Sequence, residues 1–221
     1  MACTSNTTSD KPLIQAVKKY PELSIGSRGS EKLLSVGNTQ TLQDSALIEA
    51  FNLKCAIEHQ LKNDDAAKQA LQDMPPRETE DLDPCTLHNK ALVTIADDPD
   101  EGFRSLNFLI SNPPFPPEAF PNLLFLYIKP PHGLYDFAAD MMAEHTEYVQ
   151  RYLPREQQMF LDAVTMKQSS AHGAYQQLEQ LAKQHIEKLR VQMKLFQVSA
   201  QQPVAPQCNQ PVGLHMLIPL H

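Results

Sequence analysis

Apolar residues recur at spacings of three and four along most of the chain, and short polar or proline-rich breaks separate the runs. This spacing places the residues on one face of a helix. The first run follows Asp44-Ser45, either of which can cap the start of a helix. Its members, which we expect to form one buried helix face, are Ala46, Ala50, Leu53, Ile57 and Leu61.

The breaks carry start signals for further helices. Asp83-Pro84 and Asp98-Pro99 each combine a capping Asp with a Pro at the first helical position. Most of the 18 prolines lie between apolar runs, where they do not disturb helices. The runs therefore predict about four helix pairs between residues 44 and 196, and the last pair ends in a long helix. The apolar stripe of that long helix is Tyr175, Leu178, Ala182, Ile186, Leu189, Met193 and Phe196.

A small residue recurs near the start of the second helix of each predicted pair. These residues are Ala67, Gly102, Ala139 and Ala174, at intervals of 35, 37 and 35 residues. Helix pairs that repeat at about 34 residues are typical of tetratricopeptide repeats, and a small residue lets the two helices cross closely. The pattern predicts an all-α protein, an α-α superhelix of tetratricopeptide-type pairs. A plain antiparallel helical bundle has the same periodicity and remains an alternative.

Composition and charge argue against several classes of function. The formal net charge is −7 and no dense basic stripe offsets it, which opposes nucleic-acid binding. No apolar run is long enough to span a bilayer, and residues 1–20 lack the apolar segment of a signal peptide. We therefore expect a cytosolic chain without membrane contact. Cys55 and Cys85 lie in apolar helical patterns and are interpreted as small buried residues.

The residues that carry enzyme chemistry are scattered. The eight histidines form no H-E-x-x-H motif, and no Gly-rich phosphate loop is present. The acidic group Glu78, Glu80 and Asp81 is interpreted as a solvated loop. We predict no catalytic activity, no metal site and no cofactor.

In arrays of this kind the helix pairs stack on one another and create a concave surface for a partner. We expect the first helix of each pair to line that groove. The candidate groove residues are Asn52, His59, His88, Asn89, Asn122 and Tyr127. The alternative for each is ordinary solvated helix surface. A generic peptide adaptor that clamps a terminal carboxylate is a second alternative, but Lys54 and Lys90 are the only obvious cations on the first helices.

Several segments of the chain resemble one repeat family. They are SVGNTQTL (35–42), ALIEAFNLKCAIEHQL (46–61), QALQDMPPRE (69–78), DLDPCTLHNKAL (81–92), EGFRSLNFLI (101–110), NPPFPPEAFPNLL (112–124), YDFAADMMAE (135–144) and FLDAV (160–164). They are similar to the tetratricopeptide repeat protein 30 family, also called Fleer. The resemblance runs in register from about Pro21 to Met193.

This resemblance implies a subunit of the intraflagellar transport B complex, which assembles cilia and flagella. Members of the family wrap a tight superhelix around a proline-rich segment of a neighbouring core subunit. They are also linked to the kinesin-2 motor and, indirectly, to polyglutamylation of axonemal tubulin. The expected location is therefore the cilium, with its axoneme and basal body.

The sequence divides into three expected regions. Residues 1–43 form a divergent N-terminal segment, residues 44–196 the repeat array, and residues 197–221 a disordered Gln/Pro-rich tail. Residues 1–20 and those beyond about Lys194 depart from the family, and so does the longer turn from Pro130 to Gly133. We expect a partial, divergent family member, and an incomplete, non-functional product is the alternative to a working scaffold.

Overall fold

The computed structural model describes residue 15, residues 18–23 and residues 35–200 of the 221-residue chain. The described part consists of helices joined by turns and loops and contains no β-strand, which confirms the predicted all-α class. Two short 3-10 helices span Pro21–Leu23 and Thr79–Asp81. The α-helices are α1 (Gln40–Ser45), α2 (Leu47–Gln60), α3 (Asp64–Gln72), α4 (Pro84–Thr94), α5 (Pro99–Ser111), α6 (Ala119–Ile128), α7 (Tyr135–Glu144), α8 (Thr146–Tyr152), α9 (Arg155–Met166) and α10 (Ala171–Ala200).

The chain divides into two compact units, and the boundary follows Ala119. In the first unit α2 packs against α3 and α4 packs against α5, so the predicted pairing of consecutive helices is observed. The two first helices, α2 and α4, also contact each other. In the second unit α9 packs against α10, and α7 contacts α9.

Buried side chains of the described residues form clusters in the core of the first unit. One consists of Leu23, Leu42, Leu47, Phe51 and Met74, and another of Cys55, Ala67, Ala70 and Val93.

The predicted buried face of the first helix was wrong. The helix begins at Leu47 and buries Leu47, Phe51 and Cys55, whereas Ile57 is 46% and Leu61 is 69% exposed. Ala46 lies outside the helix and adopts a left-handed φ of 52° where α1 turns into α2. Both stripes have helical spacing, but a large aromatic side chain gains more from burial than Ala50 or Ala46 does.

The small residues predicted at the helix crossings are buried in three of the four pairs. Ala67, Gly102 and Ala174 are buried, whereas Ala139 is exposed and its neighbour Ala138 is fully buried. The small residue of the third pair is therefore Ala138 instead of Ala139, and the corrected intervals are 35, 36 and 36 residues. A Cβ atom at Gly102 would lie 2.8 Å from the Cβ of Ile95, so a side chain fits there only if the backbone at the end of α4 shifts.

Both Asp-Pro start signals are confirmed. The Asp83 carboxylate accepts a hydrogen bond from the backbone N–H of Thr86 at 2.9 Å, and the Asp98 carboxylate accepts one from Glu101 at 3.1 Å. The short helix α8, which lies between the third and fourth predicted pairs, was not predicted.

The long last helix is confirmed, although most of its apolar stripe lies in solvent. Leu189 is 63% and Phe196 is 74% exposed, whereas Ala174 and Leu181 of the same helix are buried. The helix continues to Ala200, past the predicted end of the array at residue 196. The remainder of the predicted tail, residues 201–221, lies outside the described residues, as does most of the predicted N-terminal segment.

Candidate partner-binding groove

The two first helices of the first unit are joined by buried side-chain amides. Asn52 on α2 donates from Nδ2 to the hydroxyl of Thr86 on α4 at 2.9 Å. Asn89 on α4 donates from Nδ2 to the side-chain oxygen of Asn52 at 3.1 Å. Buried polar groups are stable only when they are hydrogen-bonded, so these contacts fix the register of the two helices. We call Asn52, Thr86 and Asn89 the amide network.

An arginine from the linker between the helix pairs completes this network. The side chain of Arg77 is only 2% exposed. Its Nη2 donates to the carboxylate of Asp83 and to the hydroxyl of Thr86, both at 3.3 Å, and its Nη1 donates to the backbone carbonyl of Asp81. Because Asp83 also caps α4, one carboxylate holds both the linker and the helix start in place.

A cavity of about 350 Å³ lies beside the amide network and opens toward solvent. Its walls come from α1, α2, the linker and the first turn of α4. The lining residues include Leu42, Ile48, Glu49, Asn52, Arg77 and Cys85. We call this space the groove cavity. It combines an apolar wall with a few amide, carboxylate and guanidinium groups, which is the composition typical of ligand-binding clefts.

The predicted groove residues are less exposed than expected. Asn52, His88, Asn89, Asn122 and Tyr127 are buried, and His59 is half-buried. For the five buried residues the alternative of a solvated helix surface was wrong, because helix packing covers them. Whether the six contact a partner remains a prediction.

These six residues are divided between the two units. Asn52 lines the groove cavity, whereas Asn122 and Tyr127 belong to α6, mainly in the second unit. The ring of Tyr127 lies 5.9 Å from that of Phe137 on α7. The Nδ1 atom of His59 lies 3.7 Å from the carboxylate of Asp64, on the next helix.

Burial also sets the protonation of the nearby titratable groups. It lowers the pKa of His88 to about 4, so this imidazole is neutral at physiological pH. Burial raises the pKa of the Cys55 thiol to about 12 and, together with surrounding carboxylates, that of Cys85 to about 11. Because only a thiolate is a good nucleophile, neither cysteine is activated for catalysis.

The sequence did not identify Arg77 and Glu49 as groove residues. The acidic group Glu78, Glu80 and Asp81 was predicted to be solvated. Glu78 and Glu80 are exposed and Asp81 is half-buried, but the side chain of Arg77 beside them is buried. A cation in a linker six residues before a capping Asp is the signal that could have suggested an internal ion pair. Nothing in the spacing of Glu49 marks it as a groove residue.

The described residues show no further site of a common kind. Among them, no group of three or more His, Cys, Asp or Glu side chains is placed to hold a metal ion. Over the same part of the chain, no helix has both the length and the apolar character needed to cross a membrane.

Comparison with known proteins identifies the family. The family model of the intraflagellar transport protein 70 C-terminal domain matches residues 119–212. The chain is 46% identical over 185 residues to intraflagellar transport protein 70A of Xenopus tropicalis, and equally to that of Danio rerio. It is 47% identical over 178 residues to intraflagellar transport protein 70B of Homo sapiens. The chain belongs to the intraflagellar transport protein 70 family.

The matches cover most of this chain and a small part of the relatives. They include 83% of the chain but 28% of each 70A protein, and 80% of the chain but 26% of the human 70B protein. The family is the one that the residue strings resembled. The expectation that the resemblance ends near Lys194 was wrong, because the family model continues to residue 212.

Proposed function

We propose that this intraflagellar transport protein 70 family member is a non-enzymatic scaffold of the intraflagellar transport B particle. It contributes to cilium assembly by holding an extended segment of a partner subunit against α2 and α4. The groove cavity carries this proposal, because it is an open, mixed polar and apolar site built on the first helices of two consecutive pairs. The names of the related proteins support the assignment to intraflagellar transport.

A proline-rich segment suits this site for physical reasons. Such a segment is already extended in solution, so it loses little conformational entropy on binding. Its backbone carbonyls need donors, and its rings need an apolar wall. Arg77 offers a buried guanidinium, and Leu42 and Ile48 supply the apolar wall.

The finer parts of the proposal follow from the family. The partner is the proline-rich segment of the neighbouring core subunit, and the kinesin-2 motor is the second partner. An effect on tubulin polyglutamylation would be indirect, through delivery into the cilium. The chain would act at the axoneme and basal body.

Fluorescence anisotropy with a labelled peptide of the core subunit's proline-rich segment tests the proposal. We expect the chain to bind the peptide more weakly than Xenopus tropicalis intraflagellar transport protein 70A does, because it aligns with only 28% of that protein. Ile48→Lys, which places a charge in the groove cavity, should abolish binding. Ile57→Lys on the same helix is the matched control, since Ile57 is already exposed. If the relative binds and this chain does not, the proposal is wrong.

A further inference from the structure

The groove cavity is surrounded by more negative than positive charge. Glu49 and Asp83 line it, and Arg77 is the cation that faces them among its lining residues. Because Arg77 is already engaged with Asp83, its charge does not neutralise Glu49. A third carboxylate, Glu118, lies close enough to act on the same region, because Glu118, Asp83 and Glu49 all raise the pKa of Cys85, after burial as the main cause.

Two buried polar atoms near this cavity have no partner among the described residues. One is Nε of Arg77, whose side chain is almost completely buried and lines the cavity. The other is Oε2 of Glu118, which does not line the cavity but acts electrostatically on Cys85 in its wall. A buried donor or acceptor without a partner costs free energy, so each of these atoms favours a water molecule or a partner group that pairs with it. The guanidinium requires an acceptor, and the carboxylate requires a donor.

We propose that the groove cavity receives a lysine or arginine side chain of the extended partner segment, whose charge is balanced by Glu49, while a backbone carbonyl of the same segment accepts a hydrogen bond from Nε of Arg77. This inference rests on the proposed function and adds the type of partner side chain that the groove cavity binds. An acidic or phosphorylated segment is disfavoured, because Glu49 would repel it and Arg77 is already paired. The net charge of −7 of the whole chain also favours a basic partner.

The first experiment compares two charge-removing variants. Glu49→Gln removes the carboxylate of the cavity, and Glu80→Gln removes an exposed linker carboxylate with the same change in net charge. The probe is the core-subunit proline-rich peptide, together with copies in which each Lys or Arg is replaced singly by norleucine. We expect Glu49→Gln to weaken binding of the unmodified peptide about fivefold, and Glu80→Gln to weaken it less than about twofold.

A double-mutant cycle identifies the side chain that Glu49 meets. One of the norleucine peptides should bind the unmodified chain and the Glu49→Gln variant with the same affinity, because the ion pair with Glu49 is already absent from that complex. The inference is overturned if Glu49→Gln and Glu80→Gln bind alike, or if no replacement couples to Glu49. Failure of the unmodified chain to bind the peptide would instead count against the proposed function.

A second experiment tests the inference without that partner. Cys85 lines the groove cavity, so its slow alkylation by iodoacetamide at about pH 9, where a small fraction of this thiol is ionised, reports occupancy when it is followed by mass spectrometry. The probes are two short proline-rich peptides that differ in a single central Lys or Glu. We expect the Lys peptide to slow the modification of Cys85 and the Glu peptide to leave it unchanged. Equal protection by both peptides, or protection by neither, would overturn the inference.

Discussion

The first unit and the last helix of the second unit have the same apolar periodicity but different burial. In the first unit the residues at each helix crossing are covered, and a buried network links successive first helices. On α10 the stripe continues through Leu189 and Phe196, yet these side chains lie in solvent. Helical spacing therefore identifies a helix with an apolar face, but burial also requires a neighbouring helix that packs on that face.

The largest expected effect comes from truncating one leucine in each of the two regions. Leu106→Ala on α5 removes a fully buried side chain and should lower the free energy of unfolding by about 3 kcal/mol. Leu189→Ala on α10 should change it by less than about 0.5 kcal/mol, because that residue is exposed. Urea denaturation followed by circular dichroism measures both. Similar losses at the two positions would mean that α10 is covered in solution.

The same contrast explains which features of the fold and of the groove could be predicted from the sequence. The helix starts at Asp83 and Asp98 could be predicted because capping is local, and the repeat of small residues could be predicted because crossings are periodic. The buried face of α2 could not be predicted, since two neighbouring stripes have the same spacing and only packing against α1 and α3 selects between them. Arg77 was missed for a related reason: burial of a linker cation depends on partners that tertiary structure brings together.

A pH-dependent loss of stability should come from the first unit. The folded pKa of His88 is about 4, below its ordinary value of 6.5, because burial disfavours the charged imidazole. As pH falls below 6.5 the unfolded chain binds a proton that the folded chain does not, so stability decreases until the folded pKa is reached. The loss between pH 6.5 and 5 should be about 2 kcal/mol.

Two histidine variants test this assignment. His88→Phe should reduce the slope of unfolding free energy against pH over this range. His172→Gln, which replaces an exposed imidazole on α10, should keep the slope of the unmodified chain. The assignment to His88 fails if its replacement leaves the slope unchanged.

The amide network should contribute a smaller amount to stability. Asn52→Leu removes the donor to Thr86 and the acceptor for Asn89, leaving buried polar groups with fewer partners. We expect a loss of about 1.5 kcal/mol in unfolding free energy. Asn112→Leu is the control, because Asn112 donates to the carbonyl of Phe108 at an exposed position where water can replace it. A loss for Asn112→Leu as large as that for Asn52→Leu would argue against a stabilising role for the network.

The smallest effect concerns two helical glycines, one in each unit. A Cβ at Gly102 would lie 2.8 Å from Cβ and 2.9 Å from Cα of Ile95, so the α4 backbone itself must move. Overpacking of this kind costs about 1 to 3 kcal/mol, whereas replacing a helical Gly by Ala returns about 1 kcal/mol. Gly102→Ala should therefore lower the free energy of unfolding by about 1 kcal/mol net.

Gly173→Ala provides the matched comparison on α10. Its new methyl group would meet the hydroxyl of Ser170 at 2.9 Å and the sulfur of Met166 at 3.2 Å. Both are side-chain atoms that can move, although the Ser170 hydroxyl then gives up its hydrogen bond from the backbone N–H of Gly173. We expect no loss, and a small gain if Ser170 moves freely. Urea denaturation of the two variants decides whether the backbones cross tightly only in the first unit. If Gly102→Ala stabilises the chain as much as Gly173→Ala does, the close crossing of α4 and α5 is not what requires glycine there.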